Sequence, residues 1–273
     1  MDMESIVADK IARDNLNACM ADQVLNAQES TFIETVKGLL ENKKEWEVLS
    51  DDPRFPKWMC INEGVGVGKC TGVVQTSPEN LLSWLYLIDS NQAKQSHINS
   101  NGPDSSKYPN KVVRRINNHH QLLYACRKLP PPLTPRSWLT RGIWKKNNKD
   151  FYTLAYATIS DNDPDLPRFA KTTIQKAVRG DFSAIYEFRR FPHNQTQITF
   201  TAKADVKGNI PKTIANMALG GVLKSVGRAY EYFERDEEID EMERQSFIGA
   251  IRVAPKTTEE ENVSESQLSS RCK

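Results

Sequence analysis

The sequence predicts an α+β protein built on one antiparallel sheet and closed by a long amphipathic helix. Three observations predict it. Seven short runs rich in β-branched and aromatic residues lie between Val112 and Ala204. Hairpin-type turn signals separate several of them: Asn147-Asn148-Lys149-Asp150, Gly180-Asp181 and Pro192-His193-Asn194. After Gly208-Asn209-Ile210-Pro211, apolar residues then recur at 3-4 spacing from Ile214 to Phe233.

Each element has its own signal. Residues 1–50 read as helix. Ile6, Ile11, Leu16, Met20, Val24 and Leu25 recur at helical spacing, as do Phe32, Ile33, Val36, Leu39 and Leu40. Thr31 and Glu34 have capping-box spacing, and Ser50-Asp51-Asp52-Pro53 stops the second helix. Residues 58–61 and 65–74 favour strand, with glycines marking bends or bulges. Ser77 caps a short helix to about Ile88, with Pro78 at its first position. Residues 91–110 are polar and read as loop plus strand edges. The seven strand runs are 112–116, 121–128, 138–145, 152–159, 172–178, 183–188 and 197–204. Nothing there reads as βαβ.

The closing helix carries Ile214, Met217, Ala218, Gly221, Val222, Ser225, Val226, Ala229, Tyr230 and Phe233 on one face. Its middle is small. Gly in a helix costs roughly 1 kcal/mol against Ala, so low bulk at Ala218, Gly221 and Ser225 serves either close packing on the sheet or room for a ligand. The acidic stretch from Glu231 to Asp240 reads as the exposed end of the same helix. Residues 254–273 are Glu, Ser, Thr and Asn with few large apolar residues, a composition that predicts disorder.

Composition narrows the function. The 273 residues carry 37 Lys+Arg against 35 Asp+Glu, so the balance does not advertise a nucleic-acid binder. No apolar run is long enough for a membrane span, and Met1 to Asn15 lacks the apolar core of a secretory signal. Five cysteines without a CxxC pair read as free thiols in a reducing compartment. Charge is uneven: residues 107–150 hold 11 Lys+Arg and one acid, while 231–273 hold 12 acids and 6 bases. The basic middle suits either an anionic membrane surface or the solvated face of a sheet.

Catalytic equipment is scarce. Gly64-Val-Gly-Val-Gly68-Lys69 invites a phosphate-loop reading, but Glu63 stands where the first glycine belongs and Cys70 follows Lys69. A glycine-bearing strand or hairpin fits better. His119 and His120 are adjacent, so in a strand they point apart and share a metal with difficulty. No Cys or His lies at zinc spacing. Cys126 and His120 could meet as a nucleophile pair, without any accompanying oxyanion motif. The balance favours a binding protein with no cofactor and no metal over an enzyme.

Three segments resemble the START (steroidogenic-acute-regulatory-related lipid-transfer) domain family. Leu123 to Trp138, with Pro130-Pro131-Pro132 and Pro135-Arg136-Ser137, resembles the family's strand, proline link and strand start. Asp205-Val206-Lys207-Gly208-Asn209-Ile210-Pro211-Lys212 resembles the string before its last helix, and is the most specific match. The closing helix is the third segment. Ser77-Pro78-Glu79 with Trp84-Leu85-Tyr86 resembles an early helix of the family.

The resemblance implies a helix-grip fold, a curved antiparallel sheet around a long C-terminal helix. It divides the chain into an N-terminal helical extension (1–44), a lipid-binding domain (45–235) and an acidic helix end with a tail (236–273). It implies a tunnel for one lipid, phospholipid or sterol, in a cytoplasmic protein that visits anionic membrane surfaces, with no nucleic acid as partner. Sterol-binding members bury an acid and an Arg. Those positions fall at Cys126 and Gly142, with Arg141 on the opposite strand face unless a bulge re-aims it. Alternation along the strands assigns Thr140, Gly142, Trp144, Gln175, Ala177, Ala184, Tyr186, Phe200 and Ala202 to the lining, with Cys126. The helix adds Ala218, Gly221, Val222, Ser225, Val226 and Tyr230. Two alternatives remain: a module that senses lipid without moving it, and a hydrolase or cyclase on the same scaffold.

Overall fold

The computed structural model describes residues 24–41, 45–62, 65–88, 90, 111–127, 134–160, 163, 177–208 and 219–253. The strands are β1 (Glu47–Ser50), β2 (Lys57–Asn62), β3 (Val65–Val74), β4 (Lys111–Arg115), β5 (His120–Arg127), β6 (Arg136–Asn148), β7 (Phe151–Thr158), β8 (Val178–Arg179), β9 (Asp181–Phe191) and β10 (Gln195–Asp205). The helices are α1 (Ala27–Leu40), α2 (Pro78–Tyr86), α3 (Ser225–Tyr232) and α4 (Asp236–Val253), with a further helical stretch at 219–223.

Among the described residues the strands form one sheet in the order β1-β2-β3-β10-β9-β7-β6-β5-β4, and β8 pairs with β6 in parallel. Every other pairing is antiparallel. The β9–β10 turn falls at the predicted Pro192-His193-Asn194, where His193 and Asn194 take φ of 55° and 57°. Asn tolerates this left-handed region better than most residues. The strand runs read from the sequence fall on β4 to β7, β9 and β10. Most of the 172–178 run lies outside the described residues.

Alternation divides the side chains between two faces. On the inner face, Cys70 and Val74 of β3, Ile198, Phe200 and Ala202 of β10, Ala184, Tyr186 and Phe188 of β9, and Tyr152, Leu154 and Tyr156 of β7 form one cluster. Leu81, Leu82 and Tyr86 of α2 and Leu219, Leu223, Val226 and Ala229 of the C-terminal helical segment seal it. Each Val, Leu, Ile or Phe among them contributes about 1.5–3 kcal/mol on removal from water. On the outer face, Ile33, Val36 and Leu40 of α1 pack on Cys60, Val67, Ile143, Ala155, Ala157 and Ile185. Leu122, Tyr124, Cys126, Leu139 and Ile159 make a second outer cluster.

Two helical expectations are corrected. The capping box of α1 is Asn26 with Glu29: the Glu29 N–H donates to the Asn26 side chain and the Asn26 N–H to the Glu29 carboxylate, both at 2.9 Å. Thr31 lies inside the helix, its hydroxyl donating to the Ala27 carbonyl at 2.9 Å. The helix ends at Leu40, and Glu47–Ser50 is a strand because pairing with β2 outweighs local helical spacing. Residues 1–23 lie outside the described residues.

The acidic stretch is likewise not the end of the closing helix. The 219–223 stretch and α3 meet at Lys224, which keeps helical dihedrals (φ −66°, ψ −10°). The Phe233 N–H closes α3 on the Ala229 and Tyr230 carbonyls, both at 3.1 Å. A fresh helix, α4, starts at Asp236, so the acidic stretch straddles two helices. Asp236, Glu237 and Glu238 occupy its first turn, where negative charge meets the positive end of the helix dipole. Residues 1–234 form one compact unit and 235–273 a second. No helix of the described residues is long and apolar enough to cross a membrane. The tail after residue 253 lies outside the described residues.

Candidate functional site

The inner face collects most of the sequence-derived residues. Ala184, Tyr186, Phe200 and Ala202 are buried on adjacent strands β9 and β10. The Tyr186 and Phe200 rings stack with centroids 4.0 Å apart and planes 10° apart. The Tyr186 hydroxyl donates to Ser225 Oγ at 3.4 Å, tying the sheet to α3. Val226 is fully buried, Val222 and Tyr230 pack on the same cluster, and Tyr230 meets Phe55 edge-on at 5.2 Å. Gly221 is half-buried on the helical stretch. Burial pushes the Tyr186 hydroxyl up to about 12 and the Cys70 thiol up to about 11, so both stay neutral at physiological pH.

Thr140, Gly142 and Trp144 lie on the same face of β6. Thr140 donates to the Leu123 carbonyl at 3.5 Å, and the Trp144 indole N–H donates to the Asn118 carbonyl at 2.9 Å. Gly142 is covered by an aromatic ring. A Cβ there would stand 2.3 Å from Tyr156 Cε1, so glycine lets the Tyr156 ring cross β6. Gln121, the cross-strand partner of Gly142 on β5, is fully buried beside that ring. Its Nε2 donates to the Tyr86 carbonyl at 3.1 Å and to the Tyr156 hydroxyl at 3.4 Å.

Other assigned residues stand elsewhere. Cys126 is buried in the second outer cluster, opposite to Gly142, and Ala177 packs on that same cluster. Six residue steps along β5 separate Cys126 from His120, about 20 Å in a strand, and the His120 ring binds Glu29 instead. The nucleophile pair is therefore not formed. Arg141 also faces outward, its Nη2 donating to the Asp163 carboxylate at 3.0 and 3.2 Å. The irregularity of β6 falls at Lys146/Asn148, so nothing re-aims Arg141 inward. Gln175 and Ala218 lie outside the described residues.

The close approach of helix and sheet has an unexpected source. Leu219 and Leu223, absent from the sequence-derived face, are as deeply buried as Val226 and Ala229, and Gly68 on β3 receives them. A Cβ on Gly68 would stand 2.8 Å from Leu223 Cδ1 and 3.2 Å from Leu219 Cγ. The glycine that mimics a phosphate loop is a packing glycine. Leu219 and Leu223 sit four apart, a spacing the sequence already offered.

The motifs that carry the resemblance form a structural staple. Buried Arg136 donates through Nε to the Val206 carbonyl at 2.7 Å and through Nη2 to the Lys207 carbonyl at 3.3 Å. Lys207 takes φ 50° and Gly208 φ 77° in the turn it grips. The Lys207 Nζ lies 2.8 Å from Asp181 and 3.0 Å from Asp205. These strings fix the turn before the last helical segment.

A second polar cluster was not legible. Glu29 of α1 is buried, and all four lone-pair directions of its carboxylate are used. Asn117 Nδ2 donates to Oε1 at 3.0 Å and the Asn26 N–H to Oε2 at 2.9 Å. His119 Nε2 and His120 Nδ1 stand 3.1 Å from Oε2 and Oε1. Both imidazoles reach one carboxylate because His119 sits in the turn before β5, which corrects the expectation that they diverge. Burial raises the Glu29 carboxyl, but the bonds from Asn26, Asn117 and His119, with the His119 charge, outweigh it and hold the carboxyl below its ordinary value. Among the described residues no group of His, Cys, Asp or Glu is arranged to hold a metal ion.

No family model and no curated protein matches the sequence. Solved structures do match the fold. The crystal structure of human STARD10 matches with a TM-score of 0.52 at 18% identity, covering 82% of this chain and 85% of that one. Human StAR-related lipid transfer protein 5 matches with a TM-score of 0.52 at 10% identity, covering 76% of this chain and 97% of that one. The inner-face packing of a C-terminal helical segment on a large antiparallel sheet, together with these likenesses, gives the chain the helix-grip fold of START domains.

Proposed function

We propose that this protein binds one lipid between the inner sheet face and the C-terminal helical segment and carries it between membranes. The observation that carries this reading is the state of the inner face towards β4, β5 and β6. Leu123, Ala125 and Trp138 are apolar and share the face of Gln121, yet they are only half-buried, whereas Ala184, Phe200 and Ala202 are sealed. Accessible apolar surface on the inner face of a sheet suits an acyl chain or a ring system. One structural likeness is, by its name, a lipid transfer protein. Burial of the ligand would supply about 25 cal/mol per Å² of apolar surface. The proposed wall is the inner-face part of the assigned set, within a binding domain spanning 45–235.

In this reading the protein works in the cytosol, peripheral to membranes. The basic 107–150 segment is its docking surface, with Lys146 and Lys149 exposed at the β6–β7 hairpin in support. Vesicles containing phosphatidylserine should bind at low salt and release as salt rises past the screening range. Binding that ignores salt would remove the docking step.

The test of the whole reading is native mass spectrometry of protein purified from a eukaryotic host, followed by lipid extraction. One lipid class near one copy per chain supports it. An empty protein that also takes nothing from mixed vesicles sinks it and leaves an interaction module.

A further inference from the structure

We propose that the adjoining tips of the β6–β7 and β9–β10 hairpins form an outer-face site for a membrane lipid whose headgroup ends in a phosphate. The proposal rests on the membrane-docking step above and gives that step a place and a chemistry. Strand β7 pairs with β9, so the two turns lie side by side. Arg190 ties them together. Its N–H donates to the Asp150 carbonyl at 2.8 Å, and its guanidinium stands 3.3 Å from the Asp150 carboxylate and 2.6 Å from that of Glu79. At the tips is an open recess of about 450 Å³ whose lining includes Lys149, Asp150, Phe151, Arg189, Phe191 and Gln197.

Asp150 is offset by Arg190, but two cations of the recess are not offset. Arg189 and Lys149 are exposed, and among the described residues neither has a carboxylate within ion-pair distance. The Arg189 guanidinium carbon sits 4.2 Å from the ring centroid of Phe151, its cross-strand partner on β7. That contact holds the cation in place without consuming it in an ion pair. Phe191 follows Arg189 on the same face and is 42 % exposed, where β9 enters its turn. An exposed aromatic ring with cations just behind it suits a bilayer surface: the ring enters the headgroup layer and the cations meet phosphates. Headgroup chemistry narrows the choice. Choline, ethanolamine and serine heads carry an ammonium beyond the phosphate, which Arg189 and Lys149 repel. A headgroup ending in phosphate presents its oxygens unshielded, and an arginine fork donates to two of them at once. The site is on the outer face, so it does not compete with a ligand on the inner one.

The test is co-sedimentation of the full-length protein with phosphatidylcholine vesicles that carry either phosphatidic acid or phosphatidylserine, at matched surface potential and constant ionic strength. The natural protein should prefer phosphatidic acid. Arg189→Gln should weaken that binding about fivefold, the share of one cation at an anionic surface, and remove the preference. Phe191→Ser should weaken binding to both vesicles and leave the preference in place. Arg114→Gln removes an exposed cation from β4, at the far edge of the sheet, and should keep the preference. All three side chains are exposed, so the melting temperature should hardly move. Equal binding to the two vesicles overturns the proposal, as does an Arg189→Gln protein that keeps the preference or an Arg114→Gln protein that loses as much as Arg189→Gln. In each of those cases salt-sensitive binding to phosphatidylserine would leave the docking step itself standing. Release from phosphatidic acid vesicles by millimolar glycerol 3-phosphate would assign the recess to a soluble phosphate and overturn the lipid source. Binding to neither vesicle overturns the proposal together with the docking step.

Discussion

At the scale of single residues, two positions make sharp claims. Glu29→Gln removes the charge from a carboxylate whose four acceptor directions are filled. The expected loss is about 2–4 kcal/mol in urea melts. The pH dependence follows in sign. A carboxyl held below its ordinary value contributes stability that is complete above its unfolded pKa and lost as pH falls through the folded one. Acidification below about pH 4.3 should therefore destabilise the natural protein, and Glu29→Gln should reduce that acid slope. An unchanged slope would mean that other carboxylates, such as Glu79 and Asp205, which are also held low, dominate it. Gly142→Ala drives a methyl into the Tyr156 ring and should cost about 1–3 kcal/mol by overpacking. Pairing it with Tyr156→Leu should recover part of the loss, which a double-mutant cycle would measure.

Between residue and whole lies the element, where the sequence spoke most clearly and also misled. Strands announced themselves because hairpin turns and β-branched runs act locally: the Pro192-His193-Asn194 turn and the β6–β7 turn fell as expected. Helix ends did not. Thr31 with Glu34 and Asn26 with Glu29 offer the same spacing, and the buried histidines across the chain favour Glu29 in the second pair. Leu219 and Leu223 were missing from the face read for the C-terminal segment because small residues on the helix drew attention away from Gly68 on the facing strand. Gln121 escaped notice because an isolated Gln in a strand looks like any surface residue until Tyr86 and Tyr156 close over it. Helix α1 offers a direct test. Val36 is wholly buried against the outer face, so Val36→Asp should cost about 3 kcal/mol or more. Limited proteolysis should then cut within 24–41, sites that the natural protein protects.

On the scale of the molecule, a ligand that occupies the inner face only in the folded state should raise the melting temperature as its concentration grows, by mass action. Differential scanning calorimetry with and without loaded lipid measures this, and an unmoved transition counts against occupancy. The sheet order carries a different kind of consequence. Strand β3 pairs with β10 along eight consecutive residues, from Val67↔Lys203 to Val74↔Thr196, although more than a hundred residues separate them in the chain. During synthesis β1, β2 and β3 leave the ribosome long before their neighbour exists. Their open edge must wait for β10 to arrive. Closure of this seam is a long-range step of the kind that slows folding and exposes a strand edge to aggregation in the meantime. A nascent chain stalled before residue 195 should engage a holdase chaperone, and one released past 205 should let it go.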